Sequence, residues 1–137
     1  MAGYSGTPLP KKLGIKDNFR VFLLDAPLDV TTQLKAALAT CRLLKDGRSP
    51  LDFAMVFVKS SADLQKNFGK VARRLTPAGM LWIGWPKKAS GLITDLNENE
   101  VRRIGLQAGL VDVKVCAINQ TWSGLKFVIR LKDRAKA

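Results

Sequence analysis

The sequence predicts an α/β protein with a three-layer, Rossmann-like architecture, in which a mostly parallel sheet ends in a C-terminal antiparallel hairpin. Three almost wholly apolar runs, at residues 19–25, 52–58 and 80–85, are typical of parallel strands that helices cover on both faces. Segments of helical periodicity separate these runs. Near the C-terminus the pattern changes to a two-residue alternation, so we expect the sheet to close with an antiparallel pair.

A short helix is expected before the first strand. Thr7 can cap it, Pro8 suits its first turn, and Gly14 ends it. Leu9 and Leu13 would then face inward and attach the N-terminal arm to the domain.

The second helix begins at Asp29 or Thr31 and runs to about Ala39, with Val30, Leu34 and Leu38 on its inner face. A weak strand at residues 41–44 and a turn at 46–50 follow. This second strand is the least clearly marked element of the chain.

Two further helices have recognisable caps. Ser60 or Ser61 caps the third, which residues 77–79 are expected to stop, and Asn97 with a glutamate three residues on resembles the capping box of the fourth, which Gly109 closes. The predicted inner stripes are Leu64, Phe68, Val71, Ala72 and Leu75 in the third helix, and Val101, Ile104 and Ala108 in the fourth.

The hairpin is predicted from residues 110–118 and 125–132, joined by a six-residue connection. Trp122 lies in that connection, either as a partner-facing aromatic side chain or as a packed ring, and we favour the packed ring. In the last strand we expect Leu125, Phe127, Ile129 and Leu131 to point inward, and Lys126, Arg130 and Lys132 to point outward.

The chain length of 137 residues suits one core. We divide the chain into an N-terminal arm with a short helix at 1–18, one α/β domain at 19–132 and a basic tail at 133–137. No apolar run is long enough to cross a bilayer and no export signal is present, so we expect no membrane association and a location in the cytoplasm. Cys41 and Cys116 are expected to be reduced and structural.

Charge is the extreme feature of the composition, because 23 Lys and Arg oppose 11 Asp and Glu for a net charge of +12. Such an excess serves solubility as readily as binding. No helix-turn-helix, zinc-finger or RNA-binding aromatic pattern accompanies it. Sequence-specific recognition of nucleic acid is therefore disfavoured, whereas nonspecific binding that depends on salt stays open.

Several fragments resemble the bacterial domain-of-unknown-function family numbered 3052. They are the opening Gly-Tyr-Ser-Gly-Thr-Pro-Leu at 3–9, the tryptophan-rich segment 81–91, and the fragments 109–116 and 121–127. The resemblance covers nearly the whole chain. It implies no reaction, because the family has no established activity.

Two other segments are similar to methyltransferase-type Rossmann sheets: 75–83 resembles the turn before their fifth strand, and 107–111 resembles the entry to their closing hairpin. The resemblance implies a shortened, methyltransferase-like fold and leaves activity open.

Nucleotide-binding turns after the first strand need glycine, whereas the turn at 24–29 has none and contains Pro27. We therefore expect no dinucleotide and no S-adenosylmethionine cofactor. A chain without histidine also lacks histidine metal sites and Ser-His or Cys-His nucleophiles.

Ligands of open α/β sheets bind beyond the carboxyl ends of the strands, and polar residues follow those ends here. Lys87 and Lys88 could hold an anion together with Ser90 and the Gly91 amide. Ser60 and Ser61 open a helix whose N-terminus attracts negative charge, and Trp85 could flank a flat group. The alternative, weighed equally, is a core tryptophan with solvated lysines and serines that only cap. The candidate ligand-binding residues are Asp25, Ser60, Ser61, Trp85, Lys87, Lys88, Ser90 and Gly91.

Tyr4, Ser5 and Thr7 form a candidate lid over the strand ends. The alternative, which we favour, is a capping loop with Tyr4 packed for stability.

These observations favour a non-catalytic binding or regulatory module for a small anionic ligand at the carboxyl edge of the sheet. One alternative is an enzyme in which Lys87 or Lys88 acts on a phosphate- or carboxylate-bearing substrate with Asp25 as partner. Another is a nonspecific nucleic-acid-binding accessory protein. The sequence leaves the oligomeric state open.

Overall fold

The computed structural model describes residues 6–45 and 49–134. One six-stranded sheet runs through this part of the chain, with helices on both faces. The strands are β1 (Arg20–Leu24), β2 (Arg42–Leu43), β3 (Leu51–Phe57), β4 (Leu75–Pro86), β5 (Leu110–Ala117) and β6 (Trp122–Ile129). The helices are α1 (Leu9–Leu13), α2 (Leu28–Leu38), α3 (Ser61–Ala72), α4 (Glu98–Gln107) and α5 (Leu131–Arg134), with a 3₁₀ turn at Lys88–Ser90.

The strands lie in the order β2-β1-β3-β4-β6-β5. The first four strands in this order run parallel to one another, β6 is antiparallel to β4, and β5 is antiparallel to β6. This confirms the predicted fold, including parallel contacts among the three apolar strands and the terminal hairpin. The weak second strand also forms, as a two-residue edge strand beside β1.

Each face of the sheet has its own core. Leu9 and Leu13 of α1 and Val30 and Leu34 of α2 pack on one face around Trp82, whose indole nitrogen donates to the Leu13 carbonyl at 2.9 Å. The other face is covered by α3 and α4, whose Phe68, Val71, Val101 and Ile104 join a second buried cluster. The two clusters give the three-layer arrangement that the sequence predicts.

The predicted stop at residues 77–79 is wrong. Helix α3 ends earlier, at Ala72, and residues 77–79 lie inside β4. Four residues of β4 bulge here opposite Asp52 alone, because Leu75 pairs with Leu51 whereas Met80 pairs with Phe53. Leu75 is buried as expected, but as a strand residue.

Cap positions differ slightly from the prediction. Helix α1 has Pro8 at its N-cap, rather than Thr7, and no side-chain cap, whereas Gly14 ends it with a φ of 89° as expected. Helix α2 likewise follows Pro27 and begins at Leu28. The predicted turn at 46–50 lies partly outside the described residues, because 46–48 are not among them.

The C-terminal segment needs three corrections. Strand β6 begins at Trp122, so its connection to β5 is shorter than predicted; the Trp122 ring is packed, as favoured, edge-on against Phe57 at 5.2 Å. Leu131 lies in α5 and is 78% exposed, because β6 already ends at Ile129. Ala108 follows the last turn of α4 and is exposed rather than inward-facing.

Candidate functional site

The carboxyl ends of β1, β3 and β4 meet at one edge of the sheet, followed there by Asp25, Val58 and Lys87. Chain connections leave β1 and β3 in opposite directions, toward β2 and toward β4. Open α/β sheets bind ligands at such a switch point. The connections that follow these strands therefore decide what the edge can bind.

Asp25 is held in an unusual conformation at this edge. Its φ of 57° lies in the left-handed region, and the residue is exposed. Short polar side chains adopt this region more readily than most others. Its carboxylate makes no hydrogen bond or ion pair with a described residue.

The turn between β1 and α2 contains a proline and a carboxylate that already has hydrogen-bond donors. Pro27 occupies the N-cap of α2 without a side-chain hydrogen bond. Asp29, in the first helical turn, accepts hydrogen bonds from Gln33 and Asn119, both at 3.0 Å. The turn thus presents a proline and the hydrogen-bonded carboxylate of Asp29 where nucleotide-binding turns present glycine amides.

The N-terminus of α3 already holds an anion from this chain. The Ser60 hydroxyl accepts from the Asp63 amide at 3.1 Å and caps the helix, as predicted. The Ser61 amide donates to the Asp95 carboxylate at 2.8 Å, and the Ser61 hydroxyl contacts Glu100. Asp95 therefore occupies the place that the sequence analysis assigned to a ligand.

The segment after β4 is tied to the segment after β3. The Thr94 hydroxyl donates to the Lys59 carbonyl at 2.6 Å, one residue before the Asp95 contact. Sequence reasoning missed Thr94 and Asp95, because the contacts join residues 34 and 35 positions apart. Their only sequence signal is a Thr-x-Leu-Asn run in which the threonine can cap a turn.

Ser90 and Gly91 shape the start of this segment. The Ser90 hydroxyl donates to the Lys87 carbonyl at 2.7 Å and accepts from the Leu92 amide at 3.2 Å. Gly91 ends the 3₁₀ turn with a φ of 80°. Both residues are therefore engaged in forming the turn that carries Lys87 and Lys88.

A cleft of about 530 Å³ lies beside this turn. The Lys87 amide donates to the Thr121 carbonyl at 2.7 Å, which fixes one wall against the β5–β6 turn. Trp85 is only 5% exposed and belongs both to the core and to this wall. The lining residues are Trp85, Pro86, Lys87, Lys88, Leu92, Thr94, Asp95, Leu96, Asn97, Glu98 and Ser123.

Two lysines and two carboxylates line the cleft, and they differ in the contacts that they make. Asp95 already accepts the Ser61 amide, and Glu98 forms an ion pair with Arg102 at 2.6 Å. Within the described part of the chain, Lys87 and Lys88 have no carboxylate in ion-pair contact. An anion that enters the cleft would meet two available ammonium groups.

The cleft brings together Trp85, Lys87 and Lys88 from the predicted set. The other predicted binding residues do not line it: Asp25, Ser60, Ser61, Ser90 and Gly91. Of the candidate lid, Tyr4 and Ser5 lie outside the described residues, and Thr7 is exposed and lines a separate cavity of about 220 Å³. The structure gives no shared cavity for Thr7 and the lysines.

The two cysteines occupy structural surroundings. Cys41 donates to the carbonyls of Lys16 and Ala37, and burial raises the pKa of the Cys116 thiol against the opposing charges of Lys12 and Lys114. Among residues 6–45 and 49–134, no group of three or more His, Cys, Asp or Glu side chains could hold a metal ion. In the same residues no helix is long and apolar enough to span a membrane.

The sequence matches no protein-family model and no curated protein. Solved structures share its fold. Precorrin-6y C5,15-methyltransferase from Geobacter metallireducens has a TM-score of 0.58 at 10% identity, covering 89% of this chain and 86% of that one. An S-adenosylmethionine-dependent methyltransferase from Clostridium acetobutylicum has the same TM-score and identity, covering 88% and 87%. The fibrillarin pre-rRNA processing protein of Methanococcus jannaschii has a TM-score of 0.53 at 12% identity, covering 90% and 69%. At these identities the likeness establishes a methyltransferase-type fold and leaves the activity of this chain undetermined.

Proposed function

We propose that this protein is a non-catalytic binding or regulatory module that holds a small anionic ligand in the cleft after β4. The observation that carries the proposal is that neither lysine of the cleft wall has an ion-pair partner among the described residues. Asp95 and Glu98 have partners inside the protein, whereas Lys87 and Lys88 have no carboxylate partner among the described residues. A ligand carboxylate or phosphate would form charge-assisted hydrogen bonds with the two lysine ammonium groups.

The apolar part of the wall suggests the rest of the ligand. Trp85, Leu92 and Leu96 line the cleft together with the two lysines. Small-molecule sites combine mostly apolar walls with a few placed polar groups. The proposed ligand is therefore a small carboxylate or phosphate attached to a flat or apolar body.

The placement of Asp25 favours binding over catalysis. An enzyme in which Lys87 or Lys88 works with Asp25 needs these groups around one substrate, within hydrogen-bond reach of the reacting atoms. Asp25 does not line the cleft that contains the lysines. The acid and base of the enzymatic alternative are therefore not assembled in one cavity.

The turn after β1 argues against S-adenosylmethionine as a cofactor, although the fold is of the methyltransferase type. The turn after β1 has Pro27 at the helix N-cap and no glycine. We expect a cofactor-free protein. Membership of the domain-of-unknown-function family 3052 and a cytoplasmic location stay part of the proposal.

Thermal unfolding tests the site with two probes, inorganic phosphate and benzoate, each compared with chloride at equal ionic strength. A bound ligand at a hundred times its dissociation constant stabilises by about 2.7 kcal/mol, so we expect a rise in melting temperature of several degrees. The double variant Lys87→Gln/Lys88→Gln should fold normally, because charges outside the core contribute little to stability, and it should lose this rise, because the two ammonium groups that would bind the anion are gone.

The matched control is Lys66→Gln/Lys70→Gln, which removes two exposed charges from α3 on another surface. It should keep the full anion-induced rise. A rise that persists without Lys87 and Lys88, or disappears equally in both variants, would refute the site. Stabilisation by S-adenosylmethionine of several degrees would instead support the enzymatic alternative.

A further inference from the structure

Four lysines that do not line the cleft converge beside the end of α1. Lys114 of β5 and Lys126 of β6 are directly opposite each other in the antiparallel pair. The Lys126 ammonium lies 4.0 Å from the point where a Cβ on Gly14 would be, at the end of α1. Lys16 follows that helix and, with Lys114, acts electrostatically on Lys126. We call Lys12, Lys16, Lys114 and Lys126 the lysine cluster.

Two members of the lysine cluster are anchored by backbone carbonyls. The Lys114 ammonium donates to the Lys12 carbonyl at 3.0 Å, and the Lys12 ammonium donates to the Ala117 carbonyl at 2.9 Å. These hydrogen bonds join α1 to the edge strand β5. They fix the positions of two positive charges without neutralising them.

The nearest acidic residues along the chain are directed elsewhere. Asp112, two residues before Lys114, forms an ion pair with Arg102 at 2.8 Å. Asp17, beside Lys16, accepts the Thr40 hydroxyl at 2.8 Å. Within the described residues, no carboxylate forms an ion pair with the lysine cluster.

The arrangement is electrostatically unfavourable for the protein alone. Like charges directly opposite each other on an antiparallel pair destabilise it. Burial, assisted by the charges of Lys114 and Lys16, lowers the pKa of Lys126. The repulsion among clustered cations of this kind decreases when an anion binds, and this decrease adds to the affinity for the anion.

We propose that the lysine cluster binds the phosphate backbone of nucleic acid, without reading its sequence. Lys16 and Lys114 are exposed, whereas Lys12 and Lys126 are half-buried, so the exposed pair forms the open part of the cluster. Small ligands bind in concave sites that cover most of their area, whereas a phosphate backbone brings many charges to an open cationic surface. The net charge of +12 adds long-range attraction for such a polyanion. This site is independent of the cleft after β4.

Binding of a fluorescein-labelled 20-base-pair DNA duplex, followed by anisotropy over a series of salt concentrations, tests the proposal. The test variant is Lys16→Gln/Lys126→Gln, because neither ammonium makes a hydrogen bond with a described residue. Its affinity should fall about tenfold, and the slope of log affinity against log salt should shrink by about 1.8, for two lost phosphate contacts. Its melting temperature should not fall, since the change removes repulsion.

The control Lys66→Gln/Lys70→Gln has the same net charge as the test variant, and its affinity for the duplex should be within about twofold of that of the parent. Equal weakening in the two variants would mean that only overall charge matters and would overturn the proposal. Unchanged binding in the Lys16→Gln/Lys126→Gln variant would also overturn it. Two further results would overturn the proposal. One is tighter binding to phosphatidylserine vesicles that is weakened equally by the Lys16→Gln/Lys126→Gln change. The other is displacement of the duplex by pyrophosphate at an equal concentration of phosphate groups.

Discussion

Gly105 of α4 lies directly against the ring of Phe127 on β6. A methyl group added at this position would overlap the Cε1 atom of that ring and lie 2.5 Å from its Cζ atom. The ring cannot easily move, because Phe127 is fully buried and packs edge-on against Phe68 at 5.1 Å. We therefore expect Gly105→Ala to force α4 away from the sheet.

The magnitude follows from two opposing terms. Overpacking a buried site costs about 3 kcal/mol when rigid groups must move. Alanine is better than glycine inside a helix by about 1 kcal/mol. The net loss of about 2 kcal/mol should lower the melting temperature by roughly 7 °C for a chain of this length.

Gly69 of α3 supplies the matched control. A methyl group there would meet only the end of the flexible Arg73 side chain, 3.3 Å away. Gly69→Ala should therefore show the helix term alone and raise the melting temperature by about 3 °C. Differential scanning calorimetry of the two variants measures both shifts. A Gly105→Ala protein as stable as the parent would refute the packing argument, and Phe127→Leu should reduce its cost in a double-mutant cycle.

Three other outcomes follow from the structure. Burial alone would raise the pKa of Asp52, but hydrogen bonds and charge from Arg20 outweigh it and lower the pKa. The stabilisation that ionised Asp52 provides is thus present above its unfolded pKa of about 3.9 and is lost as pH falls through the folded value. In acid titrations, the difference in free energy of unfolding between the parent and Asp52→Asn should therefore shrink below about pH 4. Asn97→Ala should cost about 1 kcal/mol in urea unfolding, since its side chain caps α4 through the Glu100 amide at 2.8 Å. Val56→Asp should cost about 3 kcal/mol or more, because Val56 is fully buried in β3; normal stability would place this residue outside the core.

The elements with the strongest local patterns could be predicted from the sequence. Phe53 to Val58 are buried in succession, as a strand between two helical layers requires, and this is readable as an unbroken apolar run. The caps at Ser60 and Asn97 were also readable, because each side chain bonds the amide three residues on. These features depend on residues close together in the chain.

The features that the sequence did not predict depend on distant contacts. Pro77 and Gly79 are typical of a turn, yet they lie in β4 because Gly79 fits against the Leu51 carbonyl, where a Cβ would be 2.8 Å away. The lysine cluster requires the irregularity in β5 at Val113, which brings Lys114 opposite Lys126. Neither contact has a signature in the local pattern of residue types.

Asp95 has a consequence for how the cleft communicates with the rest of the fold. Its carboxylate lines the cleft and also accepts the Ser61 amide at the start of α3. A cation or donor that draws the Asp95 carboxylate into the cleft must weaken its hydrogen bond with the Ser61 amide. By reciprocity, a stable hydrogen bond at the start of α3 opposes such a movement of Asp95 into the cleft. Solvent exchange at the Ser61 amide should therefore increase when a cation or donor binds Asp95, whereas an anion held by Lys87 and Lys88 should leave it unchanged.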